Sequence, residues 1–131
     1  MPKIEQGINR VTGLSGVENA LAVERAMIDE ATSAAILAGF DYEVNGETLH
    51  FSYDSFDQQN FADTANGCLG QMAGIPGLPE SVVWNAYRPN GDLVRLTLNA
   101  SEFLALYFGG ALAHKSTIMA EGGAKKDALS A

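Results

Sequence analysis

The segment from Ser81 to Phe108 constrains the fold most, because it contains two alternating strands, a turn and the start of a capped helix. Apolar residues alternate with other residues on both sides of Pro89-Asn90-Gly91, which is typical of a β-hairpin with one buried face. Two pairing registers fit this turn, and a slip of one residue would turn every side chain to the opposite face. The register therefore decides which residues form the core.

The two registers differ in the residue that lies opposite Trp84. A three-residue loop sets Trp84 opposite Leu96 and pairs Arg88 with Asp92, which makes one hairpin face wholly apolar. A two-residue loop would set Trp84 opposite Thr97. We favour the first register, which also places the turn glycine where a positive φ is required.

A helix is predicted to follow this hairpin directly. Asn99 is the predicted N-cap, and Glu102 completes a capping box. Apolar residues from Phe103 onward recur at helical spacing and can cover the apolar face of the hairpin. The predicted structural core comprises Phe51, Trp84, Leu96, Leu98, Phe103 and Tyr107.

A long N-terminal helix is predicted from about Gly16 to Ala38, with Ser15 as its N-cap and Gly39 as its stop. Its apolar residues recur at helical spacing, and many of them are alanine. Two interpretations stay open: the helix packs across its own sheet, or it associates with copies of itself along a shared axis.

A second hairpin is predicted around Asn45-Gly46, with Tyr42 opposite Leu49 across a two-residue loop. Ser55 is the predicted N-cap of the next helix, with Gln58 completing a capping box. The predicted buried stripe of that helix comprises Phe61, Ala65, Cys68, Leu69 and Met72.

The order of helix, hairpin, helix, hairpin, helix predicts an α+β fold in which two hairpins form a small antiparallel sheet packed by helices. Gly109-Gly110 is expected to serve close packing or a kink in the last helix. The sequence Glu121-Gly122-Gly123 is expected to end any helix that continues past His114. The predicted parts are 1–38, an N-terminal arm and helix that is a candidate oligomerisation element; 39–115, the α+β domain; and 116–131, a C-terminal tail.

The net charge of −8 is concentrated in one part of the chain. No lysine or arginine lies between Arg25 and Arg88, whereas nine acidic residues do. Such a block repels phosphate backbones, so direct nucleic-acid binding is not expected. The acidic residues are interpreted either as a solvated face or as a partner surface for a basic protein, centred on Asp54, Asp57 and Asp63.

Side chains capable of chemistry are few, and each has a structural interpretation. The aspartates near His50 suit a helix N-terminus better than a metal site. Cys68 recurs with apolar neighbours and is expected to be buried. Trp84 is assigned to the core and not to a stacking platform, because little positive charge lies near it. We therefore expect no catalytic site, no metal and no cofactor.

Targeting signals are also not evident in the sequence. The N-terminal residues do not contain the apolar stretch of a signal peptide. The longest nearly unbroken apolar run, Phe103 to Ala113, is too short to span a bilayer. A soluble protein without membrane insertion is expected.

Several stretches occur in an arrangement that belongs to one family. A strand ending FSYD is followed by the helix start DSFDQQNFADTAN, then by VVWNAYRPNGDLVRLTLNASEFLALY and by ALAHK. From about Gly39 to His114 the chain thus resembles a small domain near the C-terminal end of many tail-fibre and related tail proteins of tailed bacteriophages. Two departures from that pattern favour a stand-alone tail-associated protein over part of a fibre. The usual long fibre sequence does not precede the domain, and the loop Gly74–Pro79 is longer and richer in glycine and proline.

The resemblance implies a structural component of the bacteriophage virion, made in the host cytoplasm and located in the tail. It implies contacts with other tail or virion proteins and assembly as a homo-oligomer, and no enzymatic activity. The alternative interpretation is a phage-encoded acidic inhibitor or adaptor that binds a basic host protein or mimics DNA.

Overall fold

A computed structural model describes residues 16–129 of the chain. The helices are α1 (Gly16–Leu37), α2 (Ser55–Met72) and a third helical stretch made of α3 (Ala100–Leu106), a π-helical segment (Tyr107–Leu112) and α4 (Ala113–Ala128). The strands are β1 (Phe40–Val44), β2 (Glu47–Phe51), β3 (Ser81–Tyr87) and β4 (Leu93–Asn99). The strands form one antiparallel sheet in the order β1-β2-β3-β4. The predicted α+β fold, with two hairpins and a long N-terminal helix, is confirmed.

The hairpin of β3 and β4 has the predicted register. Trp84 lies opposite Leu96, and the Arg88 backbone N–H donates to the Asp92 carbonyl at 2.9 Å. Gly91 has a φ of 92°, a backbone conformation that residues with a Cβ rarely adopt. The three-residue loop therefore fixes which face of the hairpin turns inward.

The hairpin of β1 and β2 also has the predicted pairing, with Tyr42 opposite Leu49. Its two turn residues, Asn45 and Gly46, have φ values of 54° and 80°. Two successive positive values are those of the tight turn that Asn-Gly favours. The chain enters this hairpin through Gly39, whose φ of 88° ends α1 as predicted.

The aromatic core of the chain lies in the compact unit formed by residues 35–118. Phe61 of α2 is completely buried, and its ring centroid is 4.5 Å from that of Trp84 and 5.7 Å from that of Phe103. Of the predicted core residues, Phe51, Leu96, Leu98 and Phe103 are buried. Trp84 and Tyr107 are half-buried and pack against the buried cluster.

The predicted helix caps had different outcomes. Asn99 is the N-cap of α3, since its side-chain oxygen accepts from the Glu102 N–H at 2.8 Å. Ser55 was wrongly predicted as the cap of α2: the cap is Asp54, whose carboxylate accepts from the Asp57 N–H at 2.8 Å. Both residues suit a cap, but the Asp54 N–H also donates to the Asp57 carboxylate, and this reciprocal bond selects the earlier residue. Ser15 lies outside the described residues.

The C-terminal helix is longer than predicted, because α4 continues through Gly122-Gly123 to Ala128. The prediction that these glycines end the helix is wrong. In the second compact unit, of which 16–34 and 119–129 are described, Gly122 faces Thr32 so closely that a Cβ would collide with it. Lys126 also pairs with Asp29 at 2.7 Å in this unit. Helix packing therefore outweighs the low helix propensity of glycine.

Gly110 lies in the π-helical segment and allows the predicted close packing. A Cβ at this position would lie 2.8 Å from Phe40 Cε2 and 3.1 Å from Tyr42 Cδ1. β1 can therefore approach the helix only where the side chain is missing. π-helical turns are rare and are frequently found at functional sites.

Candidate functional surfaces

The three predicted acidic surface residues are distributed along α2. At the helix start, the carboxylates of Asp54 and Asp57 each accept a hydrogen bond from the other residue's backbone N–H. Further along the helix, Asp63 accepts a hydrogen bond from Gln59 at 2.9 Å. Burial raises the pKa of Asp57; a backbone hydrogen bond from Asp54 opposes this shift, and the nearby Asp54 charge adds to it. Two of the three carboxylates thus stabilise the helix start, while Asp54 and Asp63 remain exposed.

One face of α1 is mostly apolar and is exposed to solvent. Its residues follow each other at alternating spacings of three and four, the spacing of a coiled-coil seam. Val23 is 51% exposed and Met27 is 58% exposed. We call this set the exposed α1 face; it comprises Ala20, Val23, Met27, Glu30 and Ala34.

The opposite face of α1 is used within the chain. Leu21, Ile28 and Thr32 are half-buried there, and Thr32 is the residue against which Gly122 of α4 packs. A helix that buries one apolar face and exposes a second presents a surface that can take up a further partner.

A cleft lies between α2 and β3, where the sheet opens. β2 and β3 share the single bridge His50 to Tyr87, because the chain leaves the sheet after Phe51 to begin α2. The strand β3 nevertheless continues beside β4 along its whole length. Among the described residues, the edge of β3 that faces away from β4 therefore has no paired strand beyond that bridge.

Side chains from both elements line this opening, which we call the α2–β3 cleft and which has a volume of about 330 Å³. From α2 come Asp57, Asn60 and Thr64, which lie on one helix face because their spacing is three and four. β3 contributes Trp84 and Tyr87, among others. Trp84 packs against the core and also lines the cleft, whereas the sequence had assigned it to the core alone.

Tyr53 precedes α2 and has a different role from Tyr87. It is 2% exposed, and burial is the main cause that raises its pKa. Tyr53 therefore belongs to the core, whereas Tyr87 is half-buried and borders the cleft.

Both histidines of the chain line a more open pocket of about 610 Å³ beside the π-helical segment. His50 Nδ1 lies 2.9 Å from the Asp41 carboxylate, and His114 Nε2 lies 3.0 Å from the Ile36 carbonyl oxygen. These bonds orient both rings and leave one nitrogen of each ring free of them. Among residues 16–129, no group of three or more His, Cys, Asp and Glu side chains is arranged to hold a metal ion.

Cys68 on α2 is the single cysteine of the chain. Cys68 is 4% exposed and has a pKa raised by burial, so its predicted place in the core is confirmed. Within residues 16–129, no helix combines the length and apolar character that crossing a membrane needs.

Comparison with known proteins gives one family. Residues 19–131 match the family model described as Domain of unknown function (DUF4376). No curated protein matches the chain, and no solved structure matches it. Since the match spans most of its length, the chain belongs to the DUF4376 family.

Proposed function

We propose that this protein is a structural component of a bacteriophage virion, associated with the tail or tail fibre, that assembles through contacts between copies of itself and with neighbouring tail proteins. The resemblance of residues 39–114 to a domain of tail-fibre and related tail proteins suggests the virion. The exposed α1 face is the observation that supports assembly.

The composition of the exposed α1 face favours a second copy of the chain as its partner. Ala20 and Ala34 are small enough to let two helix backbones approach closely, while Val23 and Met27 supply apolar area. A seam of this spacing is complementary to itself when identical helices run side by side. Burying these residues would stabilise the assembly by roughly 25 cal/mol for each Å² of apolar surface removed from water.

Glu30 is the polar member of the exposed α1 face. A single polar residue in an apolar seam specifies register and oligomeric state, and it lowers the stability of the assembly. In copies aligned in parallel, the Glu30 side chains would meet and repel each other. Replacing Glu30 with leucine should therefore strengthen association and broaden the distribution of oligomeric states.

Mass measurement in solution tests the proposal. Sedimentation equilibrium over a concentration series should give a trimer or higher oligomer for the native chain. Val23→Glu should shift it to monomer, because the new carboxylate would be buried between apolar helices. Val83→Glu is the matched control: Val83 is 63% exposed on the sheet, and its substitution should leave the oligomer intact.

The virion assignment needs its own measurement. The protein should be detected by mass spectrometry in purified phage particles, and its gene should lie among tail genes. A chain that stays monomeric at all concentrations and is not found in particles would contradict the proposal. Binding of a monomer to a basic host protein, lost on charge reversal of Asp54, Asp57 and Asp63, would support the acidic inhibitor or adaptor instead.

A further inference from the structure

The α2–β3 cleft has the chemistry of a binding site, and the inference drawn from it does not depend on the virion role. Its side chains combine hydroxyl, amide and carboxylate groups with two aromatic rings. Its volume of about 330 Å³ is near the lower end of the range of small-molecule sites, roughly 300–1,000 Å³. The cleft is therefore large enough for a small polar ligand.

Hydrogen-bonding groups of the cleft include both donors and acceptors. The amides of Asn60 and Asn85 each carry a carbonyl oxygen and two N–H donors, and neither amide has a hydrogen-bond partner within residues 16–129. Ser52 adds a hydroxyl group. Asp57 uses one carboxylate oxygen for the cap bond to the Asp54 N–H at 3.2 Å, which leaves the other for a ligand.

The backbone of β3 adds further groups to the same wall. The Arg88 N–H points toward β4, where it donates to Asp92. Because N–H and C=O groups of alternate residues point to opposite sides of a strand, those of Val83 and Asn85 point away from β4. They therefore face the cleft, where a ligand with several hydroxyl groups could engage them.

Trp84 supplies an aromatic surface that is already held in place. Its ring centroid lies 4.5 Å from that of Phe61 and 4.8 Å from that of Phe103, so little conformational freedom remains to be lost on binding. The quadrupole of an aromatic ring gives its faces a partial negative charge. They attract the C–H groups of a pyranose ring, which carry a small positive charge.

We propose that the α2–β3 cleft binds a neutral saccharide of one or two hexose rings. The sugar would place C–H groups against Trp84 and hydroxyl groups against Asn60, Asn85 and Asp57. Asp57 carries the only charge among the described residues that line the cleft. An anionic sugar would be repelled by its carboxylate, which favours a neutral one.

The fluorescence of Trp84 provides a direct assay, because Trp84 is the single tryptophan of the chain. Glucose, galactose, mannose and N-acetylglucosamine should each be titrated into the full-length protein. At least one should change the emission in a saturable manner, with a Kd on the order of 1 mM, as expected for so small a ligand. Glucuronate should bind at least fivefold more weakly than glucose, given the Asp57 charge.

Substitutions of two asparagines on α2 separate binding from folding. Asn60→Ala removes an amide from the cleft and should raise the Kd by roughly fivefold to tenfold. Asn66→Ala is the matched control, because Asn66 is exposed on the same helix and does not line the cleft. Asn85→Ala should raise the Kd similarly and tests the strand side independently.

The outcomes that overturn the inference are distinct. No saturable change in Trp84 emission with any of the four neutral sugars would exclude the saccharide. An unchanged Kd in both Asn60→Ala and Asn85→Ala would place binding elsewhere. Equal affinity for glucuronate and glucose would refute the charge argument, and none of these results depends on the oligomeric state.

Discussion

Replacing the neighbouring glycines Gly109 and Gly110 with alanine should change the free energy of unfolding in opposite directions. Both glycines lie in the π-helical segment. In the unfolded chain, the backbone of glycine is less restricted than that of alanine, so glycine loses more conformational entropy on folding. Alanine should therefore stabilise the helical backbone at either position by about 0.5–1 kcal/mol. Only the surroundings of the added Cβ distinguish the two substitutions.

The surroundings differ sharply. At Gly109 the nearest atom to a Cβ would be the Tyr42 hydroxyl oxygen at 3.7 Å, an ordinary contact. At Gly110 the Cβ would lie 2.8 Å from Phe40 Cε2. The Phe40 ring cannot retreat easily, since it is 6% exposed and its centroid is 5.4 Å from that of Phe51 in a stacked pair.

The expected magnitudes follow from these contacts. Gly109→Ala should raise the free energy of unfolding by about 0.5–1 kcal/mol. Gly110→Ala adds an overpacking penalty of about 1–3 kcal/mol, so it should give a net loss of up to about 2.5 kcal/mol. The difference between the two variants isolates the overpacking penalty, because the backbone contribution cancels.

Urea denaturation followed by Trp84 fluorescence measures the difference, since Trp84 lies in the same compact unit as both glycines. Equal slopes of the unfolding free energy against urea concentration would show that the unfolded states are comparable. If both variants shift the midpoint in the same direction by the same amount, or if Gly110→Ala is the more stable one, the proposed contact between Gly110 and Phe40 is wrong.

Three further substitutions or reactions test separate parts of the structure. Gly122→Ala should lower the thermal stability monitored by far-UV circular dichroism, because its Cβ would collide with Thr32; Gly123→Ala, with open space around it, should be neutral or stabilising. Asp54→Ala should lower the free energy of unfolding by about 1 kcal/mol, whereas Ser55→Ala should stay within about 0.5 kcal/mol, and the reverse order in urea denaturation would refute the assigned cap. Cys68 should be alkylated by iodoacetamide far more slowly in the native protein than in urea at pH 8, because burial restricts access and raises its pKa; equal rates would place the thiol at the surface.

Local sequence signals were sufficient to predict both hairpins and their registers. The choice between registers followed from one requirement, that Trp84 and its neighbours on one face meet apolar partners across the turn. The turn of the other hairpin could be predicted from Asn45-Gly46 alone, because these two residues favour the positive φ values of a tight turn. The same alternation extends back to Phe40, which could have been assigned to the core from its spacing with Tyr42.

Glycine was the least reliable signal of where a helix ends, because the structural role of a glycine depends on what packs against it. Gly39 and Gly91 adopt positive φ values, as predicted. Gly39 ends α1, and Gly91 lies in the turn between β3 and β4. Gly122 lies within a helix, and its missing side chain gives room to Thr32. A helix propensity scale treats these positions alike, although a close contact from a distant element reverses the interpretation of Gly122.

The α2–β3 cleft could be predicted only in part. The polar stripe Asp57, Asn60 and Thr64 follows from helical spacing along α2. Its partner surface does not, because it depends on β2 leaving the sheet after one bridge with β3. Assigning Trp84 wholly to the core was reasonable from alternation alone, which identifies an inward face but not the point at which a neighbouring strand ends.

The position of α2 links the core to the cleft. Phe61 is surrounded by aromatic rings from several elements, with centroid distances of 4.5–6.3 Å; they are Phe40, Tyr53, Trp84, Phe103 and Tyr107. The next residue toward the N-terminus, Asn60, lines the cleft. Because consecutive residues of a helix are fixed at about 100° to each other, the packing of Phe61 also fixes the direction in which the Asn60 side chain leaves α2. The aromatic core thus holds in place both the helix backbone and the Trp84 ring that line the cleft, which lowers the ordering cost of binding a ligand there.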